Sequence, residues 1–481
     1  MTDIRKLALE AIEKARHLGA TYADFRFVET KSQSLGYADG APDKVEESLD
    51  RGFGVRVIVD GAWGYCSSAD LTEKEIIRIT QKAVEIAGAS SLLNKTAVEL
   101  ASNPKYSDTF ISVFKKDPFT VLLAEKLSYL AHLDELQAKN TNIKSRDSFL
   151  DFRKTIKDYF NSDGSAIHQE IIQSGAGVSV TAAGTGRIRA IRSYPANEGI
   201  YECKGFELLD EIDFAANIPI ISEQAVALLQ APPCPAKTCD LVLDGSHVGL
   251  VIHETIGHPL ELDRVFGSER NFSGASFATT DNLGKLRYAS NIVNVVADPT
   301  AAFGLGGFGY DDEGVKARKT ELIKDGILVG YISSRETARK IGRESSGSIL
   351  ADGWGNIPIV RMTNTNLMPG NQTLDELISG IDDGLYLQTT SSWSIDDMRQ
   401  NFQFGCEIGW LIEGGKLTSM VKDPSYGGNT VAFWNSCDGI GDGSGWRIWG
   451  TPNCGKGQPG QNARTGQGAS SARFRQAKVG V

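Results

Sequence analysis

Ala231-Pro232-Pro233-Cys234-Pro235 interrupts the chain near its middle, with three prolines in four residues. A proline cluster with neither helical nor strand period is a natural linker, so it predicts a boundary between two domains. The reading is a domain over 1–230, a Pro-rich linker over 231–238 and a second domain over 239–481.

Working outward toward the N-terminus, the patterns mix helix and strand. Ile4, Leu7, Ala8, Ala11, Ile12 and Ala15 recur at helical spacing, and Gly19 ends the run. From Tyr22 to Val28, Phe25 and Phe27 alternate with Asp24 and Arg26, which is a strand pattern. Val55, Val57 and Val59 alternate likewise, and Asp60-Gly61 supplies a hairpin turn. Thr72-Glu73-Lys74-Glu75 is a capping box that opens a helix through Ile86. Helices are also predicted over 119–136 and near 220–229, with a long hairpin of 149–160 and 166–172 between them.

Working outward toward the C-terminus, 239–243 reads as a short strand and a helix starts near His247. From about Asn291, short apolar runs alternate with turns such as Asp325-Gly326, Glu413-Gly414-Gly415 and Gly427-Gly428, an antiparallel β signature. The chain has 52 glycines, most of them beyond the linker, in keeping with that reading. The fold class is therefore α+β: an N-terminal α/β domain followed by a mainly antiparallel domain that carries the helix at 247.

Composition narrows the function. No run of eighteen apolar residues is present, which argues against a transmembrane helix, and Met1-Thr2-Asp3-Ile4-Arg5-Lys6 lacks a signal-peptide core. Seven thinly scattered cysteines argue against a disulfide scaffold and fit a reducing cytoplasm. A net charge of −10 disfavours direct nucleic-acid binding, which rests on clustered Lys and Arg.

The chemistry-bearing stretch is His253-Glu254-Thr255-Ile256-Gly257-His258, in a chain with only six histidines. Neutral imidazole is a common zinc ligand, and a neighbouring Glu can act as general base. Here the histidines are five apart rather than four, so on a regular helix they would point about 140° apart. Pro259 clashes with the carbonyl of Thr255 and disfavours the α conformation at His258, while Gly257 adds backbone freedom. A π-bulge or broken turn would bring His258 back toward His253. The plain alternative is a buried helix end with two incidental histidines.

Two ligands are too few for a catalytic zinc site, which has three plus an open position. His247, roughly 240° round the same helix from His253, points elsewhere. Cys454 is the attractive third ligand, with Lys456 placed to lower its pKa. From the residues alone it is one of seven cysteines, and an inert buried thiol is the commoner outcome.

The chain resembles the TldD/PmbA family, also known as modulators of DNA gyrase, and in particular its TldD-type metalloproteases. The resemblance runs through Gly52-Phe53-Gly54-Val55-Arg56-Val57, Gly61-Ala62-Trp63-Gly64, the His253–His258 motif and Asp311-Asp312-Glu313-Gly314. It continues through Arg361-Met362-Thr363-Asn364-Thr365-Asn366, Leu411-Ile412-Glu413-Gly414-Gly415-Lys416 and Asn453-Cys454-Gly455-Lys456-Gly457-Gln458. It implies Zn2+ held by His253, His258 and Cys454, with Glu254 as catalytic base. It further implies a dimer, homomeric or with a PmbA/TldE-type subunit that lacks the motif, acting on unfolded peptides. The chain departs from the family pattern at Pro259 and in the tail after Gln458, at no implied ligand. The competing reading is a non-catalytic peptide-binding or gyrase-regulating subunit, which has no need of all four residues.

Four other features have simpler readings. Gly304-Leu305-Gly306-Gly307-Phe308-Gly309 reads as a turn or substrate-lining loop rather than a nucleotide loop. Asp311, Asp312 and Glu313 read as a solvated acidic turn or as support for the metal site, ahead of a second cation site. Glu261 and Asp263 either orient a ligand histidine through its second nitrogen or cap a helix. Arg473, Arg475 and Lys478 read as a solvated edge strand.

Overall fold

A computed structural model describes residues 3–186 and 189–481. It is an α+β structure, as the sequence patterns predict. The N-terminal half is built on one sheet whose main strands are Tyr22–Ala38, Ala41–Val59, Ile143–Asn161 and Ala166–Ala183, far longer than their hydrophobic alternation suggests. Alternation fades where a strand emerges from the core: Ala41 to Arg51 is exposed throughout, while Phe53 to Val59 is buried.

Side chains alternate across a strand, so residue parity shows what each face of this sheet meets. Phe25, Phe27 and Leu35 share one face of the first strand, and all three are buried under helices. Helices Ile4–His17 and Glu73–Ser91 cover the Phe25 end, and Leu123–Ala138 with Phe214–Leu228 covers the Leu35 end. The helix Glu73–Ser91 lies so close to the sheet that a Cβ at Gly64 would sit 2.0 Å from the Ala83 carbonyl oxygen.

Asp24 and Arg26 face the other way. They are not solvated, as an alternating strand on a one-sided sheet would have them; both are 3% exposed. Arg56 donates to Asp24 at 2.7 Å and to Glu313 at 3.3 Å, while Asp312 takes Lys157 at 2.7 Å and Arg26 at 3.4 Å. Asp311, Asp312 and Glu313, each 1% exposed, are thus buried against the N-terminal sheet rather than in a solvated turn. Arg192–Glu407 and Arg464–Asp151 add further ion pairs between the two halves of the chain.

In the C-terminal half the strands Asp383–Ile395, Lys237–Leu243, Ala472–Val479, Ser425–Asn429 and Asn401–Glu413 pair in turn. Asn401–Glu413 then pairs back onto Asp383–Ile395, so the sheet closes on itself. The basic tail is therefore not an edge strand: Ala472–Val479 is paired on both sides. Arg473 binds Asp438 at 2.8 Å, and Arg475 binds Asp240 at 2.5 Å. Pairing to acids on neighbouring strands, Asp438 in Cys437–Ile440 and Asp240 in Lys237–Leu243, accounts for these two charges.

Candidate metal centre

The helix Gly245–Ile252 leaves the end of strand Lys237–Leu243. Asp244 caps it, accepting from the Ser246 N–H at 3.0 Å, and also accepts from the Thr389 N–H at 3.0 Å. The helix start is thereby tied to the closed sheet. His247 is spent inside the core on Thr390 at 2.8 Å and Tyr426 at 2.9 Å.

Beyond Ile252 the helix widens. The His258 N–H donates to the carbonyl of His253, five residues back, so His253–Gly257 forms a π-turn before the tighter turn His258–Leu260. Pro259 has no N–H to offer Thr255, and the Tyr288 hydroxyl takes that carbonyl instead, at 2.5 Å. The Thr255 hydroxyl in turn accepts from the Trp434 indole at 2.8 Å. Gly257 passes Met362 so closely that a Cβ there would fall 2.0 Å from the sulfur.

The extra residue in that turn places the two imidazoles 4.8 Å apart between centroids, at 87°. Cys454 reaches them from strand Arg447–Lys456, whose register shifts between Thr451 and Cys454. Such a bulge re-aims side chains. The Arg361 guanidinium holds the carbonyls of Cys454 and Gln461, fixing the strand beside the bulge. Cys454 Sγ lies 3.6 Å from His258 Nε2, and one donor atom from each of His253, His258 and Cys454 falls within 4.8 Å of the others.

The surroundings suit a cation. His258 Nδ1–H donates to Glu261 at 2.9 Å, and its other nitrogen, Nε2, faces the thiol. Burial pushes the Glu261 carboxyl up, but Lys456, His258 and Arg264 outweigh it and hold it well below the usual carboxylate range. Asp263 does not orient a histidine; it takes Lys456 at 2.7 Å. Lys456 is accordingly directed away from the thiol. Burial pushes the Cys454 thiol up, and it is His258 and Arg361 that bring it below its ordinary value. Burial also lowers His253, favouring neutral imidazole. Among the described residues, the buried Nδ1 of His253 has no hydrogen-bond partner. A buried polar atom left so costs about 1–3 kcal/mol, which an ion held by that ring would offset.

Glu254 lies beside this cluster. Arg399 donates to its Oε2 at 2.8 Å, and Oε1 has no partner among the described residues. Burial raises the Glu254 carboxyl, but His258, His253 and Arg399 together outweigh it and hold it below its ordinary value. All four residues of the motif and cluster open on a cavity of about 460 Å³, with Leu250, Trp393, Ile395 and Trp449 as its apolar walls. Asn197 and Glu198, from the N-terminal half, complete the rim.

Residues 236–481 match the PmbA/TldA metallopeptidase C-terminal domain, and residues 23–87 match PmbA/TldA metallopeptidase domain 1. The chain belongs to the PmbA/TldD family. A metalloprotease of Methanothermobacter thermautotrophicus is 30% identical over 459 residues, covering 95% of each chain. A zinc metalloprotease TldD homolog of Saccharolobus solfataricus is 23% identical, covering 89% of this chain and 90% of its own. Among solved structures, TldE from Thermococcus kodakarensis shares the fold with a TM-score of 0.72 at 16% identity, covering 98% of this chain and 99% of its own.

Other motifs of the resemblance are engaged in backbone contacts within the C-terminal half and with the N-terminal sheet. Asn364 Oδ1 accepts the Gly306 N–H at 2.9 Å, and Asn366 Oδ1 accepts the Gly468 N–H at 2.8 Å. Gly307 and Gly309 N–H groups are likewise spent, on Gly304 O and Gln169 Oε1. The glycine loop is thus a packed turn, with those N–H groups unavailable to a phosphate. Arg399 went unrecognised in the sequence, because Asp396-Asp397-Met398-Arg399-Gln400-Asn401 reads as any polar turn between two strands.

Proposed function

We propose that the chain is a zinc peptidase that cleaves extended, unfolded polypeptide, with the ion held by His253, His258 and Cys454. The observation that carries this reading is the convergence of two imidazoles and a lowered thiol on one cavity beside a half-free carboxylate. His253, His258 and Cys454 would offer such an ion two nitrogens and one thiolate. A zinc ion so held supplies Lewis acidity to the scissile carbonyl and lowers the pKa of water. Glu254 Oε1 accepts the proton of the attacking water, and Glu254 then delivers it to the leaving amine.

The shape of the cavity supports an extended substrate. Strand Arg447–Lys456 pairs only with Gln461–Ala469 among the described residues, and its stretch from Trp449 to Gly455 lines the cavity. A peptide laid along that edge would bind through main-chain hydrogen bonds and tolerate varied side chains.

Three further readings belong to the same proposal. The chain divides into 1–230, a linker over 231–238 and 239–481, supported by hydrophobic clusters that segregate largely to either side. The protein works in a reducing cytoplasm, supported by seven unpaired cysteines. It acts as a dimer, homomeric or with a TldE-type subunit, supported by family membership. No helix among the described residues is long and apolar enough to cross a membrane.

The test is cleavage of an unstructured quenched-fluorescence peptide by zinc-loaded protein. Wild type cleaves it, and Glu254→Ala keeps its zinc while losing about 10²–10⁴-fold in turnover. Wild-type turnover in Glu254→Ala contradicts the role of Glu254. A zinc-loaded wild type that binds the peptide intact points instead to a binding subunit.

A further inference from the structure

We propose that Arg399 is the positioning residue for Glu254, a role that rests on reading Glu254 as the base. Arg399 lies in the turn between strands Asp383–Ile395 and Asn401–Glu413. Its φ of 60° is left-handed, a conformation that costs a non-glycine residue about 1–2 kcal/mol. The turn is fastened on every side. Asp396 accepts from the N–H groups of Gln400 and Asn401 at 2.8 and 3.0 Å and from Asn401 Nδ2 at 2.7 Å. Thr430 donates its hydroxyl to the Arg399 carbonyl at 2.8 Å and its N–H to the Gln400 carbonyl at 2.7 Å.

The strained backbone sends the Arg399 side chain into the cavity wall, where it is 12% exposed. Among the described residues its one ion-pair contact is Nη1 to Glu254 Oε2 at 2.8 Å, and its buried Nε has no partner. An arginine that serves only to neutralise a buried carboxylate commonly takes both oxygens in a fork. Here one oxygen is clamped and the other is left open to the cavity. That is the arrangement a proton acceptor needs: a fixed carboxylate plane, a countercharge, and one unencumbered oxygen facing the reaction space.

Arg399→Met keeps an unbranched apolar stem and removes the cation, and Arg399→Lys keeps the cation with a shorter, single donor. In zinc-loaded protein, Arg399→Met loses about 10–100-fold in kcat with KM within about threefold and zinc content unchanged. Arg399→Lys recovers at least part of that kcat. In zinc-free protein, melting temperatures of Glu254→Gln, Arg399→Met and the double variant form a cycle that reads the ion pair without turnover. The double variant melts higher than the sum of the single losses requires. Wild-type kcat in Arg399→Met, a defect lying wholly in KM, no recovery in Arg399→Lys, or strictly additive melting shifts would each overturn the proposal. If Arg399→Met does not fold, Arg399→Gln, which also lacks the cation, decides: a lowered kcat at unchanged KM supports the role, and a wild-type kcat overturns it. Full turnover in Glu254→Gln would instead show that the reading of the base is wrong, and the proposal would fall with it.

Discussion

The main-chain N–H of His258 donates to the carbonyl of His253, five residues back rather than four. That bond rotates His258 onto the side of the helix that His253 occupies, and the helix can widen there because Gly257 has no side chain. With a Cβ 2.0 Å from the Met362 sulfur, Gly257→Ala overpacks the turn. Such overpacking costs about 1–3 kcal/mol. Urea unfolding of zinc-free Gly257→Ala, Met362→Ala and the double variant reads it: the double variant is more stable than the sum of the singles predicts. Additive losses would mean that the contact is not what restricts this position.

Glu261 fixes which nitrogen of His258 is bare. Glu261→Gln replaces a carboxylate that can only accept with an amide that can present either group, so the tautomer is no longer imposed. Zinc affinity falls about 10–100-fold, measured by competition with a coloured chelator. Lys456 has a second carboxylate partner in Asp263 at 2.7 Å, and the circular dichroism of the variant is expected to match wild type. Unchanged affinity would show that His258 is oriented by packing alone.

Zinc binding adds to stability. At free zinc one hundred times its dissociation constant, the wild type gains about 2.7 kcal/mol over the zinc-free protein. In Cys454→Ser that gain shrinks, and a scan of melting temperature against zinc concentration follows it. An equal gain in wild type and Cys454→Ser would remove the thiol from the ligand set.

Arg56 lies between Asp24 and Glu313, joining the N-terminal sheet to the C-terminal half. Arg56→Met strands buried carboxylates, at a cost of about 3–5 kcal/mol at neutral pH. Burial already raises the Glu313 carboxyl above its ordinary 4.5, against the pull of Arg56. A group whose folded pKa is raised penalises the fold once it ionises, and the penalty disappears as it is protonated. The deficit of Arg56→Met is therefore largest above the raised folded pKa and narrows as pH falls through it toward 4.5. A deficit independent of pH would mean that lost packing, not charge, is responsible.

Much of this was legible in the sequence where local rules decide the outcome. Pro259 and Gly257 predicted a broken helix at His258, and Thr72 caps a helix as its residue type demands. The helix expected to start near His247 starts at Gly245 under the Asp244 cap. Tertiary partners were not legible. Asp312 and Glu313 read as a solvated turn or as support for the metal site because charged residues are seldom buried, yet here they are buried against Arg26, Arg56 and Lys157 across the chain. Arg473 and Arg475 misled for the same reason. Cys454 lies 196 residues from His258, and only family resemblance singled it out from six other cysteines. Arg399 left no local mark, because its left-handed backbone is imposed by Asp396 and Thr430.

The most direct test of the central claim is elemental analysis of protein purified without chelator, wild type beside His258→Ala and Cys454→Ser. One zinc per wild-type chain, with loss of most of it in both variants, is the predicted result. Wild-type protein without zinc, or variants that retain a full equivalent, would contradict the assignment of the metal centre.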